Sequence, residues 1–266
     1  MANLKSLEAS QLSSAIAEMA TLAELELTQD MIAALEQFAA FLFEYNQKVN
    51  LVGSKDLLSL VQRHFLDGFT VANAIKTIKI KKNESEKPES AGDAALGGVT
   101  LIDIGSGGGL PGMILALSLP WLKVTLVDAI GKKCKFLEEA AQHLGLDQNK
   151  ISVITGRAEE MGHQVRFREQ FDFATARAVA SLRMTAELVS PFLKLDGHYL
   201  AQKTKAKEEE ESREAALLLT ELKLEQVGRI SLEHLDTIAE SVILDYRKVG
   251  ALKSDYPRAW KKIIGA

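Results

Sequence analysis

Hydrophobic residues recur at helical spacing through the first 78 residues of the 266-residue chain. Thr28 is a candidate N-cap, and apolar side chains then return every three or four positions, at Ile32, Leu35, Phe38, Leu42, Tyr45 and Val49. A second helix, with Ser54 as its candidate cap, would carry Leu57, Leu58, Val61 and Phe65. Residues 1–78 are therefore predicted to form a small helical N-terminal segment.

A polar segment separates these helices from a region with a different period. Residues 79–98 read KIKKNESEKPESAGDAALGG, a composition that predicts a flexible linker or surface loop. Short apolar runs follow at 99–104, 123–128, 151–155, 171–176 and 197–202, with helical patterns at 131–144 and 181–190. This alternation predicts an α/β domain over 99–250, with a parallel sheet and helices on both faces. Runs at 222–230 and 241–248 would add an antiparallel hairpin, and residues 251–266 would form a basic tail.

Composition narrows the class of protein. The formal net charge is −4, so bulk charge does not indicate a nucleic-acid binder, and any such binding needs a local patch. One cysteine, Cys134, excludes an internal disulfide and a cysteine cluster for zinc. Neither a membrane span nor a signal peptide is visible, which favours a cytoplasmic protein.

The candidate chemistry begins at 101–112, which read LIDIGSGGGLPG. This stretch is predicted to be the first strand-to-helix turn of the sheet, where glycines let a ligand approach the backbone. Gly107, Gly109 and Gly112 satisfy the dinucleotide pattern G-x-G-x-x-G, which is a weak signal alone.

Asp103, just before the glycines, favours a different ligand. A carboxylate there would repel a dinucleotide pyrophosphate but attract the ammonium and cationic sulfur of S-adenosylmethionine. The alternative is that Asp103 only caps the loop. Asp128, at the end of the second strand, can accept hydrogen bonds from ribose hydroxyls in either class of cofactor.

Several motifs in order carry a family resemblance. "IDIGSGGGLPG", "VTLVDAIGKKCKFLEEAAQHLGL", "GRAEE" and "FDFATARAVASL" resemble the bacterial small-subunit ribosomal RNA guanine-N7 methyltransferases, the RsmG (GidB) family. "YNQKVNLVGS" and "RHFLDGF" are similar to that family's N-terminal motifs. The resemblance implies a Rossmann-like class I methyltransferase sheet, S-adenosylmethionine as cofactor, and 16S ribosomal RNA or the small ribosomal subunit as partner of a monomeric enzyme.

The same resemblance assigns cofactor contacts position by position. With the two acids and the loop above, the predicted cofactor residues are Asp103, Gly105, Gly107, Leu110, Asp128, Ala129, Ile130, Ala158, Glu159 and Arg177. Arg177 would position the cofactor or the target base, or would simply pair with a nearby acid. "RAEE" alone would be interpreted as an ordinary helix start.

The predicted RNA contacts are Arg63, His64, Lys203 and Arg258. Two of them have alternatives: Arg63 and Asp67 are spaced i,i+4 and would pair with each other, and Lys203 would only face solvent. The sequence departs from the family in its tail, YPRAWKKIIGA, where a Gly- and Pro-containing basic tail is usual, and in its longer linker.

Guanine N7 has a lone pair and no proton, so no general base is predicted. No Asp/Asn-Pro-Pro-aromatic motif of exocyclic-amine methylation is present, and Cys134 lies within a predicted helix. Two alternatives stay open: an NAD-dependent oxidoreductase using the glycine loop, and a non-catalytic RNA-assembly factor.

Overall fold

A computed structural model describes residues 2–54, 56–85, 98–177, 180–231 and 241–265. The N-terminal part is helical, as predicted. It consists of α1 (Ala2–Leu22), α2 (Gln29–Asn46), α3 (Leu57–Leu60), a π-helical turn (Val61–Phe65) and α4 (Leu66–Ser85).

One of the two predicted helix caps is correct. The Thr28 hydroxyl accepts a hydrogen bond from Met31 N (3.3 Å) at the start of α2. The prediction of Ser54 as the second cap is wrong, because Asp56 Oδ1 accepts from Ser59 N (2.8 Å). An ionised carboxylate is a stronger acceptor than a hydroxyl at this position. The Ser54 hydroxyl instead lies 3.3 Å from His64 Nε2.

The predicted linker begins inside a helix, so its first part is a wrong prediction. Helix α4 continues to Ser85, and residues 79–85 are therefore helical. Its last described turns have tertiary contacts: Ile78 packs against the core, and Lys79 Nζ lies 3.8 Å from the Trp121 ring centroid. Residues 86–97 of the predicted linker lie outside the described residues.

The sheet has seven strands in the order β3-β2-β1-β4-β5-β7-β6. They are β1 (Thr100–Ile104), β2 (Lys123–Asp128), β3 (Ile151–Thr155), β4 (Phe171–Ala176), β5 (Leu193–Thr204), β6 (Leu224–Ser231) and β7 (Ser241–Lys248). Strands β1 to β5 are parallel, and β7 is antiparallel to both β5 and β6. The predicted Rossmann-like α/β class and the C-terminal antiparallel pair are confirmed, although residues 232–240 between its strands are not described.

Helices cover both faces of the sheet. After the strands come α5 (Gly112–Ser118), α6 (Gly131–His143), α7 (Ala158–Met161), α8 (Leu182–Val189), α9 (Lys205–Glu221) and α10 (Trp260–Ile264). The chain adds β2 and β3 on one side of β1, and β4 and β5 on the other. This reversal of direction opens a crevice at the carboxyl end of β1, where ligands of such sheets bind.

Successive residues of each strand contribute to two apolar cores. In β1, Leu101 joins a core with α1, α2, α4, α5 and α6, whereas Ile102 and Ile104 join a second core with α8 and α9. The alternation follows from the two-residue repeat of a strand. The N-terminal helices thus share one core with the sheet, on the face that also carries α5 and α6.

Candidate functional site

The loop after β1 folds back on the end of β2. The amides of Gly105 and Ser106 donate to Val127 O (2.8 and 3.0 Å), and Gly105, Gly107 and Gly109 have φ of +74°, +54° and +78°. Side chains rarely adopt such positive φ values, so the glycines are required by the turn. Gly112 is required for a different reason, because a Cβ there would lie 2.2 Å from Leu126 Cδ2.

Asp103 lies beneath this loop. Its carboxyl is 1% exposed, and Oδ2 accepts from Gly112 N (3.2 Å) at the start of α5. Burial raises the pKa of Asp103 to about 7, against the lowering effect of hydrogen bonds from Ser106 and Gly112 and of the Arg177 charge. Its Oδ1 has no hydrogen-bond partner among the described residues. The capping role held open from the sequence is therefore present in the structure.

Asp128 joins the two loops that border the crevice. Its Oδ2 accepts from Gly107 N (3.0 Å) and its Oδ1 from Ile130 N (2.9 Å). The carboxylate is 6% exposed and ends β2 as predicted. Each carboxylate oxygen has a second lone pair and can accept another hydrogen bond from a ligand.

A cavity of about 300 Å³ opens beside Asp128. Its walls come from the ends of strands β1, β2 and β3 with the loops that follow them, and from helices α6, α7, α8 and α10. The lining residues are 104–105, 127–130, Lys133, 156–159, Leu188 and Trp260. The volume and the mixture of apolar wall with a few polar groups are typical of a small-molecule site.

Six of the predicted cofactor residues line this cavity: Gly105, Asp128, Ala129, Ile130, Ala158 and Glu159. The other four, Asp103, Gly107, Leu110 and Arg177, are not among its lining residues in the part of the chain that the structure describes. Gly107 nevertheless contacts the cavity wall, because its amide donates a hydrogen bond to the lining residue Asp128. Asp103 and Leu110 are buried below the loop.

Seven lining residues were not predicted: Ile104, Val127, Lys133, Gly156, Arg157, Leu188 and Trp260. The first five lie within three positions of a predicted residue, and Arg157 forms an ion pair with Glu159 (3.3 Å). Leu188 and Trp260 come from α8 and α10, which no local motif connects to the glycine loop. Only the tertiary fold brings them there.

Arg177 and His64 meet in a second cluster at the end of β4. An Arg177 amino group donates to His64 Nδ1, and Arg177 NH1 lies 3.3 Å from Asp67 Oδ2. Asp67 also accepts from the Ser241 hydroxyl. The expected alternative of an Arg63–Asp67 pair is wrong, since Asp67 pairs with Arg177, and Arg63 is exposed on the π-helical turn.

His64 is buried within this cluster. Burial, together with the positive charges of Arg177 and Arg63, lowers the pKa of His64 to about 3. The imidazole is therefore neutral near pH 7, with Nδ1 accepting from Arg177 and Nε2–H directed at Ser54. A neutral, engaged histidine is suited to holding Arg177 in place.

The remaining two predicted RNA residues are held by internal ion pairs. Lys203 Nζ lies 2.9 Å from Glu211 Oε2, and its side chain is only 8% exposed, so the idea that it simply faces solvent is wrong. Arg258 donates from Nε (2.8 Å) and NH2 (2.6 Å) to the two carboxylate oxygens of Glu187. Neither charge is free at the surface.

The described residues contain neither a metal-ion cluster nor a membrane-spanning helix. No group of three or more His, Cys, Asp or Glu side chains there could hold a metal ion. In the same described ranges, no helix is long and apolar enough to cross a membrane.

Comparisons with known proteins give the family. Residues 31–235 match the family model described as rRNA small subunit methyltransferase G. Ribosomal RNA small subunit methyltransferase G of Thermoanaerobacter sp. (strain X514) is 37% identical over 224 residues, covering 84% of each chain. The protein of that name from Caldanaerobacter subterraneus subsp. tengcongensis is 38% identical over 228 residues, or 86% of each chain.

Among solved structures, the Methanococcus jannaschii fibrillarin pre-rRNA processing protein has a TM-score of 0.45 and 16% identity, over 58% of this chain and 68% of that one. The family model matches most of the sequence, and the relatives are matched over 84% and 86% of their length, in agreement with the motifs found in the sequence. The chain belongs to the rRNA small subunit methyltransferase G family.

Proposed function

We propose that the protein transfers a methyl group from S-adenosylmethionine to N7 of a guanine in 16S ribosomal RNA of the small subunit. The observation that carries this proposal is the cavity between the glycine loop and Asp128, in a chain of this family. The crevice lies where the sheet order reverses, at the carboxyl end of β1.

The residues present fit S-adenosylmethionine. Asp128 has acceptor capacity left for ribose hydroxyls, and the glycine loop leaves the backbone open to a close ligand. The apolar wall of Val127, Ile130, Ala158 and Leu188 suits a nucleobase. When bound, S-adenosylmethionine supplies an electrophilic methyl group on a positively charged sulfur.

The protein's own contribution to the chemistry is positioning. A guanine N7 lone pair needs no proton removed. Buried His64 has its pKa lowered to about 3, so it is neutral, and it is hydrogen-bonded to Arg177. His64 and Asp67 hold the Arg177 guanidinium from two sides. Alignment of the reacting atoms and exclusion of water then provide the rate enhancement.

RNA binding requires a local positive surface, because the net charge is −4. Arg63 supports such a surface: it is exposed, and it precedes the buried His64–Arg177 contact by one residue. In this proposal, Arg63 contacts a phosphate, while Lys203 and Arg258 support the fold through Glu211 and Glu187. The protein would act as a monomer in the cytoplasm.

The alternatives make different demands on the same residues. An NAD-dependent oxidoreductase would place a pyrophosphate against the loop above Asp103, a carboxyl that is buried there with one oxygen unpartnered among the described residues. A non-catalytic assembly factor would not need to keep Asp128 at both loops. We therefore favour methyl transfer over both.

The test is a map of N7-methylguanine in the small-subunit RNA of cells with and without the gene. The proposal predicts one modified guanine that disappears with the gene and returns with the unaltered chain, but not with the Asp128→Ala variant. Identical maps in both strains would overturn it.

A further inference from the structure

Trp260 occupies an unusual place for a large aromatic residue. It begins α10, near the end of the chain, yet it forms part of the cavity wall together with Asp128, Ala158 and Leu188. It is only partly buried, packing one side against the second core. Trp260 thus packs on the core and also lines the cavity, so part of the residue is open to whatever enters it.

The segment that carries Trp260 is firmly anchored. Arg258 binds Glu187, which is 1% exposed on α8, through its backbone N (2.9 Å) as well as its guanidinium. On the other side of Trp260, Ile263 is 1% exposed in the core. An aromatic ring held between two such anchors is a preorganised binding surface.

The anchors also show at which end of the cavity Trp260 lies. Arg168 NH1 donates to Tyr256 O (2.8 Å), and His163 Nε2 lies 2.8 Å from Pro257 O. A Cβ on Gly162 would lie 2.9 Å from Pro257, so this part of the tail runs beside the residues that follow α7. Residues 156–159 follow β3 and line the cavity together with Trp260, so we place Trp260 on the β3 side of the crevice.

The order of the strands assigns a chemical group to that side. Going from β1 through β2 to β3, the edge presents first the glycine loop, then Asp128, then residues 156–159. If Asp128 holds the ribose, the methionine part lies over the glycine loop and the adenine lies towards β3. The apolar residues Ile130, Ala158 and Leu188 line the space that remains for the base.

We propose that Trp260 stacks on the adenine ring of S-adenosylmethionine, so that the C-terminal segment completes the cofactor site. This inference rests on the proposed function for the cofactor, but not on which RNA atom is methylated. An aromatic side chain at this position can stack on the flat face of a base, and such stacking contributes substantially to binding.

The chain offers a matched control, because it has two tryptophans. Trp121 lies under Lys79 Nζ, at 3.8 Å from its ring centroid, and is not among the described residues that line the cavity. The Trp121→Phe variant therefore reports fluorescence from Trp260 alone, and the Trp260→Phe variant from Trp121 alone.

The experiment titrates both variants and Trp260→Ala with S-adenosylhomocysteine, by fluorescence and by calorimetry. Adenosine and homocysteine serve as half-ligands, and circular dichroism checks that each variant is folded. We expect S-adenosylhomocysteine and adenosine, but not homocysteine, to quench the tryptophan fluorescence of Trp121→Phe. None of the three ligands should quench the fluorescence of Trp260→Phe. Trp260→Ala should bind S-adenosylhomocysteine about 5- to 100-fold more weakly, and Trp260→Phe should retain most of the affinity.

The outcomes separate the two proposals. Unchanged fluorescence in Trp121→Phe at saturation, or unchanged affinity in folded Trp260→Ala, would overturn the role of Trp260 and leave the cofactor assignment intact. If Trp260→Ala is unfolded, the fluorescence of Trp121→Phe decides the matter, because this variant keeps Trp260 as its only tryptophan. Failure of the unaltered protein to bind S-adenosylhomocysteine would overturn both proposals.

Discussion

Asp128 is the residue on which the cofactor site depends most, because its two oxygens organise both bordering loops. We predict that Asp128→Ala weakens S-adenosylhomocysteine binding by about 1–3 kcal/mol, the cost of losing hydrogen bonds to buried partners. Calorimetry on the folded variant measures this. Asp147→Ala is the control, since Asp147 also accepts from two backbone amides (Asn149 and Lys150) but is exposed. Equal affinity of both variants would show that the ribose is held elsewhere.

Two buried groups in the site have opposite effects on stability as the pH changes. The pKa of His64 is lowered to about 3 in the folded chain. Between about pH 3 and 6.5, the unfolded chain therefore holds a proton on His64 that the folded chain lacks, and stability rises with pH. The pKa of Asp103 is raised to about 7, so the folded chain retains the extra proton from about pH 4 to 7, and stability falls as pH rises.

Removing either group should therefore reveal the pH dependence that the other group gives to the free energy of unfolding. We predict that unfolding free energy rises more steeply with pH in Asp103→Asn than in the unaltered protein, and less steeply in His64→Asn. Each difference in slope should approach about 1.4 kcal/mol per pH unit within its window. Urea unfolding at closely spaced pH values measures the slopes. Parallel curves for all three proteins would contradict both pKa shifts.

Arg63 is the residue expected to contact RNA without contacting cofactor. Replacing it with alanine should weaken RNA binding by about 3- to 10-fold. The slope of log affinity against log salt concentration should become shallower by about one, as expected for the loss of one phosphate contact. Affinity for S-adenosylhomocysteine should not change. Arg166→Ala removes an exposed arginine whose Nε is bonded to Gln164, and serves as the charge control. Equal RNA affinity of the two variants would exclude Arg63 from the interface.

At the scale of elements, the C-terminal segment is fixed to α8 by Arg258 and Glu187. The Glu187 side chain is 1% exposed and Arg258 is 27% exposed. Arg258→Ala would leave a buried carboxylate unpaired and should lower the free energy of unfolding by about 2–4 kcal/mol. The double variant Arg258→Ala with Glu187→Gln should recover part of this loss, because no buried charge remains.

The control for that prediction is an exposed ion pair. Lys135 and Glu139 lie 3.7 Å apart on α6, with side chains 71% and 41% exposed. Lys135→Ala should change stability by less than about 0.5 kcal/mol. Similar losses in Arg258→Ala and Lys135→Ala would mean that the tail is not anchored through Glu187.

Most elements follow from local sequence signals. The periodic apolar residues of α2 and the short runs of β1 to β4 predicted their elements, because each signal lies within the element itself. The cap at Asp56 and the end of α4 were not predicted, because Asp56 competes with a nearby serine and α4 continues through polar residues. Contacts such as that of Lys79 with Trp121 cannot be seen in local composition.

At the scale of the whole molecule, part of the site follows from local sequence signals and part only from tertiary structure. Asp128 and the glycine loop lie at strand ends, where general rules for parallel sheets place a ligand. Trp260 and Leu188 reach the cavity only through the packing of α8 and α10, and Asp67 meets Arg177 only because the N-terminal helices share a core with the sheet. Such contacts depend on tertiary structure and have no signature at fixed spacing.

The most direct test of the proposed methyl transfer follows the methyl group itself. Purified protein is incubated with S-adenosylmethionine labelled in the methyl group and with small subunits from cells that lack the gene, and the RNA is digested to nucleosides for mass spectrometry. Guanine-N7 methylation predicts label in N7-methylguanosine alone, with S-adenosylhomocysteine formed in equal amount and with far less transfer by Asp128→Ala. Label in any other nucleoside, or no transfer by a protein that binds S-adenosylmethionine, would contradict it.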